Sequence, residues 1–202
     1  MSGIRKSDRH PYTVAGDQTT LAEHKRRAMG RLILGFDGFM PSPELEALCR
    51  IAPPAGFISF RRNVSTVLQV LECNLALQSL APGSAPPIIS VDQEGGRVRR
   101  IRETDWPAMR AVGNVDSEEL TAKVARGLTA ELQALGFNAD WAPCADVDSN
   151  PENPVIGDRS FGRDPSLCGR HVKTFIEAMQ AAGMISCAKH FPGHGDTNLG
   201  ID

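Results

Sequence analysis

Five short, continuous apolar runs punctuate the chain, at residues 32–36, 57–60, 88–91, 137–141 and 184–188. Each gives way at its C-terminal end to polar residues. Asp37 and Gly38 follow the first run, Arg61, Arg62 and Asn63 the second, and Asp92, Gln93 and Glu94 the third. The fourth extends toward Val147 and dissolves among Asp146, Asp148 and Asn150, and the fifth meets Lys189 and His190. Runs that are apolar throughout, rather than alternating, predict strands covered on both faces.

Helical periodicity fills the gaps. Val67, Leu68, Leu71, Leu75, Leu77 and Leu80 fall near a 3.6-residue period, as do Leu120, Val124, Leu128, Leu132 and Leu135. Asp116 with Glu119 offers the latter helix a capping box, and Gly136 a left-handed stop. A third stripe, Val172, Phe175, Ile176 and Met179, starts behind Asp164-Pro165 and stops at Gly183.

Strand and helix alternating at this spacing predict right-handed βαβ units and a parallel sheet. An open doubly wound sheet often carries a Gly-x-Gly-x-x-Gly turn after its first strand, but Phe36-Asp37-Gly38-Phe39-Met40-Pro41 stands there instead. Charged clusters behind several successive strands fit a (β/α)8 TIM barrel, which gathers its functional groups on that face. Five strands are visible, against the eight of a closed barrel. The expected organisation is a polar tail over residues 1–20, then the N-terminal portion of one barrel domain over residues 21–202. Asp202 would lie in mid-loop, so the chain reads as a fragment, poorly folded alone because its first and fifth strands present open parallel edges.

Composition narrows the function. A formal net charge of -2, with 41% hydrophobic and 23% charged residues, fits a soluble globular chain and removes any general argument for nucleic-acid binding. Basic residues cluster at Arg5, Lys6 and Arg9 and at Lys25, Arg26 and Arg27, where a solvated tail or helix face accounts for them. The five cysteines are scattered and form no Cys-x-x-Cys pair, which points to reduced thiols in a cytoplasmic protein. No apolar run is long enough to span a membrane.

Three loops could carry chemistry. Asp92-Gln93-Glu94-Gly95-Gly96-Arg97-Val98-Arg99-Arg100 sets a carboxylate at a strand terminus before a run of arginines. An aspartate there can accept from two vicinal sugar hydroxyls while an arginine donates to other oxygens; a structural Asp–Arg pair across the loop is the alternative. Gly157-Asp158-Arg159-Ser160-Phe161-Gly162 presents Arg159, either to a ligand or to the carboxylates of Asp146 or Asp148. Lys189-His190-Phe191-Pro192-Gly193-His194-Gly195-Asp196-Thr197 holds two imidazoles, but Pro192 and the glycines forbid the helix that would align them and no His-Glu-x-x-His is present. We therefore expect no metal site and no cofactor. The polar groups suit a hydroxyl-rich neutral ligand.

These three motifs, in this order, resemble glycoside hydrolase family 3, specifically its β-N-acetylglucosaminidase branch, over about residues 32–202. The resemblance implies a retaining hydrolase on a (β/α)8 barrel that removes terminal β-linked N-acetylglucosamine, usually from muropeptides in peptidoglycan recycling. It makes Asp92 the residue that grips sugar hydroxyls, with Arg100, Arg159, Lys189 and His190 completing the pocket. It also makes Asp202 the partner of an acid/base histidine two residues past the chain end, and puts the aspartate nucleophile after a later strand. The chain alone is then expected to be inactive. A family 3 β-glucosidase or β-xylosidase, or a noncatalytic sugar-binding derivative of the fold, are the rival readings.

Overall fold

The computed structural model describes residues 20–81 and 85–198. Asp202 and, Thr20 apart, the expected tail lie outside the described residues. Along the chain run α1 (Leu21–Met29), β1 (Ile33–Gly35), α2 (Pro43–Ile51), β2 (Gly56–Ser59), α3 (Val67–Leu80) and β3 (Ile88–Val91). Then follow α4 (Met109–Val115), α5 (Glu118–Ala134), β4 (Ala139–Asp140), α6 (Pro165–Ala181) and β5 (Ile185–Ser186). Short 3-10 turns at Arg61–Asn63 and Gly157–Arg159 shape two of the loops.

The sheet order is β1-β2-β3-β4-β5, and every neighbouring pair is parallel. An order that never reverses has no topological switch point, so the doubly wound alternative falls away and the sheet is that of a partial (β/α)8 barrel. Phe57, Ile89 and Val91 are wholly buried on the central strands, and helices α3, α5 and α6 cover them with Leu77, Leu128, Leu132, Phe175 and Met179. Each such side chain contributes roughly 1.5–3 kcal/mol on burial. At Gly56 a Cβ would overlap the Ile88 backbone, so glycine lets β2 approach β3.

The helix boundaries follow their local chemistry. Ser42 accepts from Leu45 N ahead of Pro43, Thr66 accepts from Gln69 N, and Asp164 accepts from Ser166 N and Leu167 N ahead of Pro165. Gly136 and Gly183 adopt the expected positive φ, 81° at each. One expected cap is corrected. Asp116 does not cap α5, because it sits in the left-handed region at φ 50° and closes α4; Ser117 caps α5 by accepting from Leu120 N at 3.2 Å. Asp116 is drawn there by Arg170 at 3.0 Å and by His171 Nε2 at 3.1 Å, and the buried His171 ring stacks on Phe161. The basic face at Lys25, Arg26 and Arg27 lies on α1, which buries no residue.

No helix among the described residues is long and apolar enough to cross a membrane.

Candidate active site

Of the polar groups expected to act, Asp92, Arg100, Arg159, Lys189 and His190 lie together at the C-terminal ends of β3, β4 and β5, and Asp202 lies outside the described residues. Residues 92 and 94 leave β3 two apart, and extended backbone sends such side chains to the same side. Asp92 accepts from Arg100 Nη2 at 3.1 Å and from Lys189 Nζ at 2.6 Å. Lys189, at the exit of β5, also lies 2.7 Å from Glu94 Oε1. Glu94 takes a two-pronged pair from Arg159, with Nε and Nη2 each at 2.9 Å. Asp92, Arg100, Arg159 and Lys189 are thus one connected cluster, and Glu94 is its buried hub at 1% side-chain exposure.

Both readings of the β3 loop therefore meet in one geometry: Arg100 does pair with Asp92, and the pair lies in the cluster. For Arg159 the expected alternative partners are corrected. Asp148 is occupied by Arg110 at 2.8 Å and Arg163 at 3.2 Å, and Asp146 by His190, so Glu94 is the carboxylate that Arg159 reaches.

His190 stands beside the cluster, 35% exposed, with Nδ1 at 2.6 Å from Asp146 Oδ2. Asp146 is fully buried and also accepts from the backbone N–H of His190 and of His194. Burial alone would raise its pKa, but His190, the His194 N–H and Cys144 outweigh that and hold it below the ordinary value. A carboxylate accepts only, so it fixes the proton on Nδ1 and leaves Nε2 as the acceptor. The His190 and His194 rings meet edge to face, 5.7 Å apart, and His194 Nδ1 is engaged by Thr197 at 2.5 Å.

Burial opposes the charge on Lys189 as well, yet Glu94 and Asp92 prevail and raise its pKa, so it stays cationic. Asp140 behaves in the opposite way. It is 1% exposed, accepts from Gln93 N at 2.9 Å, and has its pKa pushed well above the ordinary value by burial.

Two loops are laced together around this site. Asn153 Nδ2 donates to His194 O at 2.7 Å, and Asn150 N donates to Gly195 O at 3.3 Å. Gly195 packs so closely on Val147 that a Cβ would overlap the Val147 carbonyl. Between the loops opens a cleft of about 340 Å³ lined by Asp146, Ser149, His190, Gly193 and Asp196 among others. A hollow of about 410 Å³ between α1 and α2 lies away from this chemistry.

Glu94, Asp146 and Asp140 are the groups to which sequence reasoning gave no functional part. Glu94 carried a usable signal, its i,i+2 relation to Asp92 at a strand exit. The Asp146–His190 contact spans 44 residues and left no local trace.

The family model described as "Glycosyl hydrolase family 3 N terminal domain" matches residues 34–200. The chain belongs to glycosyl hydrolase family 3. Among its relatives, "Beta-hexosaminidase A" of Pseudoalteromonas piscicida is 40% identical over 166 residues, which is 78% of this chain and 28% of that protein. "Beta-hexosaminidase" of Pseudomonas aeruginosa strain PAO1 is 37% identical over 169 residues, 82% of this chain and 50% of that protein. A solved family 3 β-N-acetylglucosaminidase from Paenibacillus sp. str. FPU-7 superposes with a TM-score of 0.82 at 38% identity, covering 87% of this chain and 34% of its own. The chain thus spans half or less of the length of these family 3 relatives.

Proposed function

We propose that this chain supplies the sugar-holding part of a retaining β-N-acetylglucosaminidase, acting on terminal β-linked N-acetylglucosamine of muropeptides in cytoplasmic peptidoglycan recycling. The observation that carries this reading is the Asp92–Lys189–Glu94–Arg159 cluster at the strand exits, made from all three loops whose sequence resembles that branch. The family 3 relatives bearing the hexosaminidase name support it over a glucosidase or xylosidase.

In this reading Asp92, held between Arg100 and Lys189, accepts from sugar hydroxyls. Lys189, Arg100 and Arg159 donate to ring-substituent oxygens. Glu94 sets the posture of Lys189 and Arg159, and Asp146 that of His190, so neither needs to touch sugar. Holding the ring in a fixed posture contributes to rate by orientation rather than by bond making. Asp202 would orient the histidine that protonates the leaving oxygen and then deprotonates water, an imidazole being suited to both steps near neutrality. That histidine and the aspartate nucleophile are both placed after Asp202, so in this reading residues 1–202 alone would not turn over substrate.

The test is release of 4-nitrophenol from the β-N-acetylglucosaminide and the β-glucoside, side by side, by the protein expressed from its full gene. Activity on the acetamido sugar alone is expected. Preference for glucose would move the assignment to the sister activity, and silence on both would sink the hydrolase reading in favour of a noncatalytic sugar binder.

A further inference from the structure

Cys144, Asp146 and His190 offer three different donor types within 4.8 Å of one another. Cys144 and Lys189 form a parallel bridge between the segments leaving β4 and β5, which sets residue 144 beside the residue preceding His190. The Cys144 thiol lies 3.3 Å from Asp146 Oδ2, the same oxygen that His190 Nδ1 approaches at 2.6 Å. We propose that these three side chains form a binding site for one thiophilic divalent cation, zinc(II) foremost, entered from the cleft through the His190 side.

The donor set of one sulfur, one imidazole nitrogen and one carboxylate oxygen is borderline-soft, which suits zinc and disfavours magnesium and calcium. Tetrahedral zinc with ordinary bond lengths needs its donors about 3.3–3.6 Å apart. The sulfur and oxygen already stand at 3.3 Å. The imidazole must draw back by about 0.7 Å from Asp146 and turn toward the Cys144 sulfur to reach that spacing, since the three donors now span up to 4.8 Å, and His190 is the partly exposed member, 35% exposed against full burial of Asp146. A water from the cleft would complete four-coordination.

The proton balance is simple. The metal takes the place of the thiol proton on Cys144, which leaves to solvent, and the His190 proton moves from Nδ1 to Nε2 without net loss. Burial raises the Cys144 pKa, so the thiol is protonated without metal and the dication must supply the driving force. The neighbouring cations Arg159 and Lys189 are paired with Glu94 and Asp92. Where His190 serves the sugar, as the proposed function has it, metal and sugar would compete for that ring. Metal binding itself does not depend on that reading.

The test is titration of the protein expressed from its full gene, kept reduced, with cobalt(II) chloride. Thiolate ligation to cobalt gives a near-ultraviolet charge-transfer band that carboxylates and imidazoles do not. A saturable band at one equivalent is expected, bleached by an equal concentration of zinc(II). Cys144→Ser keeps a donor to Asp146 and should lose the band, while Cys187→Ser, at the partly exposed thiol, should keep it. His190→Gln should weaken cobalt binding at least about tenfold, and it stands in if Cys144→Ser lacks the wild-type circular dichroism. No saturable band from folded protein, a band that survives Cys144→Ser, one lost in Cys187→Ser, or unchanged affinity in His190→Gln would each overturn the site. None of these readouts uses glycosidase activity, so the metal site and the hydrolase reading fail separately.

Discussion

Inside the sheet a single donor among the described residues, Gln93 N–H, meets the buried Asp140 carboxylate. Burial lifts its pKa, and Asp92 and Glu94 nearby lift it further against Gln93 and Lys189. A carboxyl whose pKa is higher folded than unfolded costs stability as pH rises from about 3.9 toward the folded value. Asp140→Asn keeps an acceptor for Gln93 and removes the charge. It should stabilise the fold by about 1–3 kcal/mol at pH 7, with the gain vanishing below pH ~4; urea unfolding at the two pH values checks this, and a loss at pH 7 would contradict it. Glu94 is the opposite case, a buried carboxylate satisfied by three donor groups. Glu94→Gln leaves Arg159 without its counter-charge and Lys189 with Asp92 alone, and should cost about 3 kcal/mol in the same assay. A cost within about 0.5 kcal/mol, the range of an ordinary surface change, would mean that the pairs add nothing.

At the scale of elements, the long helices and the apolar strands were legible because each carries its own signal: period, cap and glycine stop. The strand at residues 88–91 and the helix at residues 67–80 match the observed bounds. Helices α2 and α4 escaped notice, being 9 and 7 residues long with few buried side chains to set a period. Ser42-Pro43-Glu44 was nonetheless a readable start for α2. Asp116 misled because its neighbour Ser117 competes for the same cap, and a contact 54 residues away with Arg170 decides the matter. The candidate cluster divides along the same line. Asp92, Arg100, Arg159, Lys189 and His190 came from local motifs, whereas the pairing of carboxylates with cations depends on which strand exits lie side by side. The loop lacing depends most on Gly195. Gly195→Ala should push the loop of residues 189–198 off Val147 and break the His190–Asp146 contact. Nitrogen-15 NMR of the His190 ring would report this as loss of the Nδ1-protonated form, and an unchanged spectrum would show that the close approach is dispensable.

For the whole molecule, the paired carboxylates set an acid limit. Asp148 is held below the ordinary range because Arg110 and Arg163 outweigh burial, and Asp146 likewise by His190 and its neighbours. Depressed groups stabilise fully above their unfolded pKa of about 3.9 and lose that contribution as pH falls through the folded values. Lys189, raised, stabilises fully below about 10.4 and loses it only at higher pH. Asp140 pulls against them between its two pKa values. The urea midpoint of the Asp140→Asn variant should therefore hold level from about pH 5 to 9 and fall steeply below pH 4. A midpoint that rises on acidification would contradict the network.

These groups matter for function only if they meet the sugar. The most direct measurement is a crystal structure of the protein expressed from its full gene, soaked with N-acetylglucosamine. Sugar hydroxyls are expected within hydrogen-bond distance of the Asp92 carboxylate, with Lys189, Arg100, Arg159 and His190 donating or accepting around the same ring, and Glu94 and Asp146 behind them without contact. A sugar bound elsewhere, with the Asp92–Lys189–Glu94–Arg159 cluster closed and untouched, would show that the cluster only holds the barrel strands together.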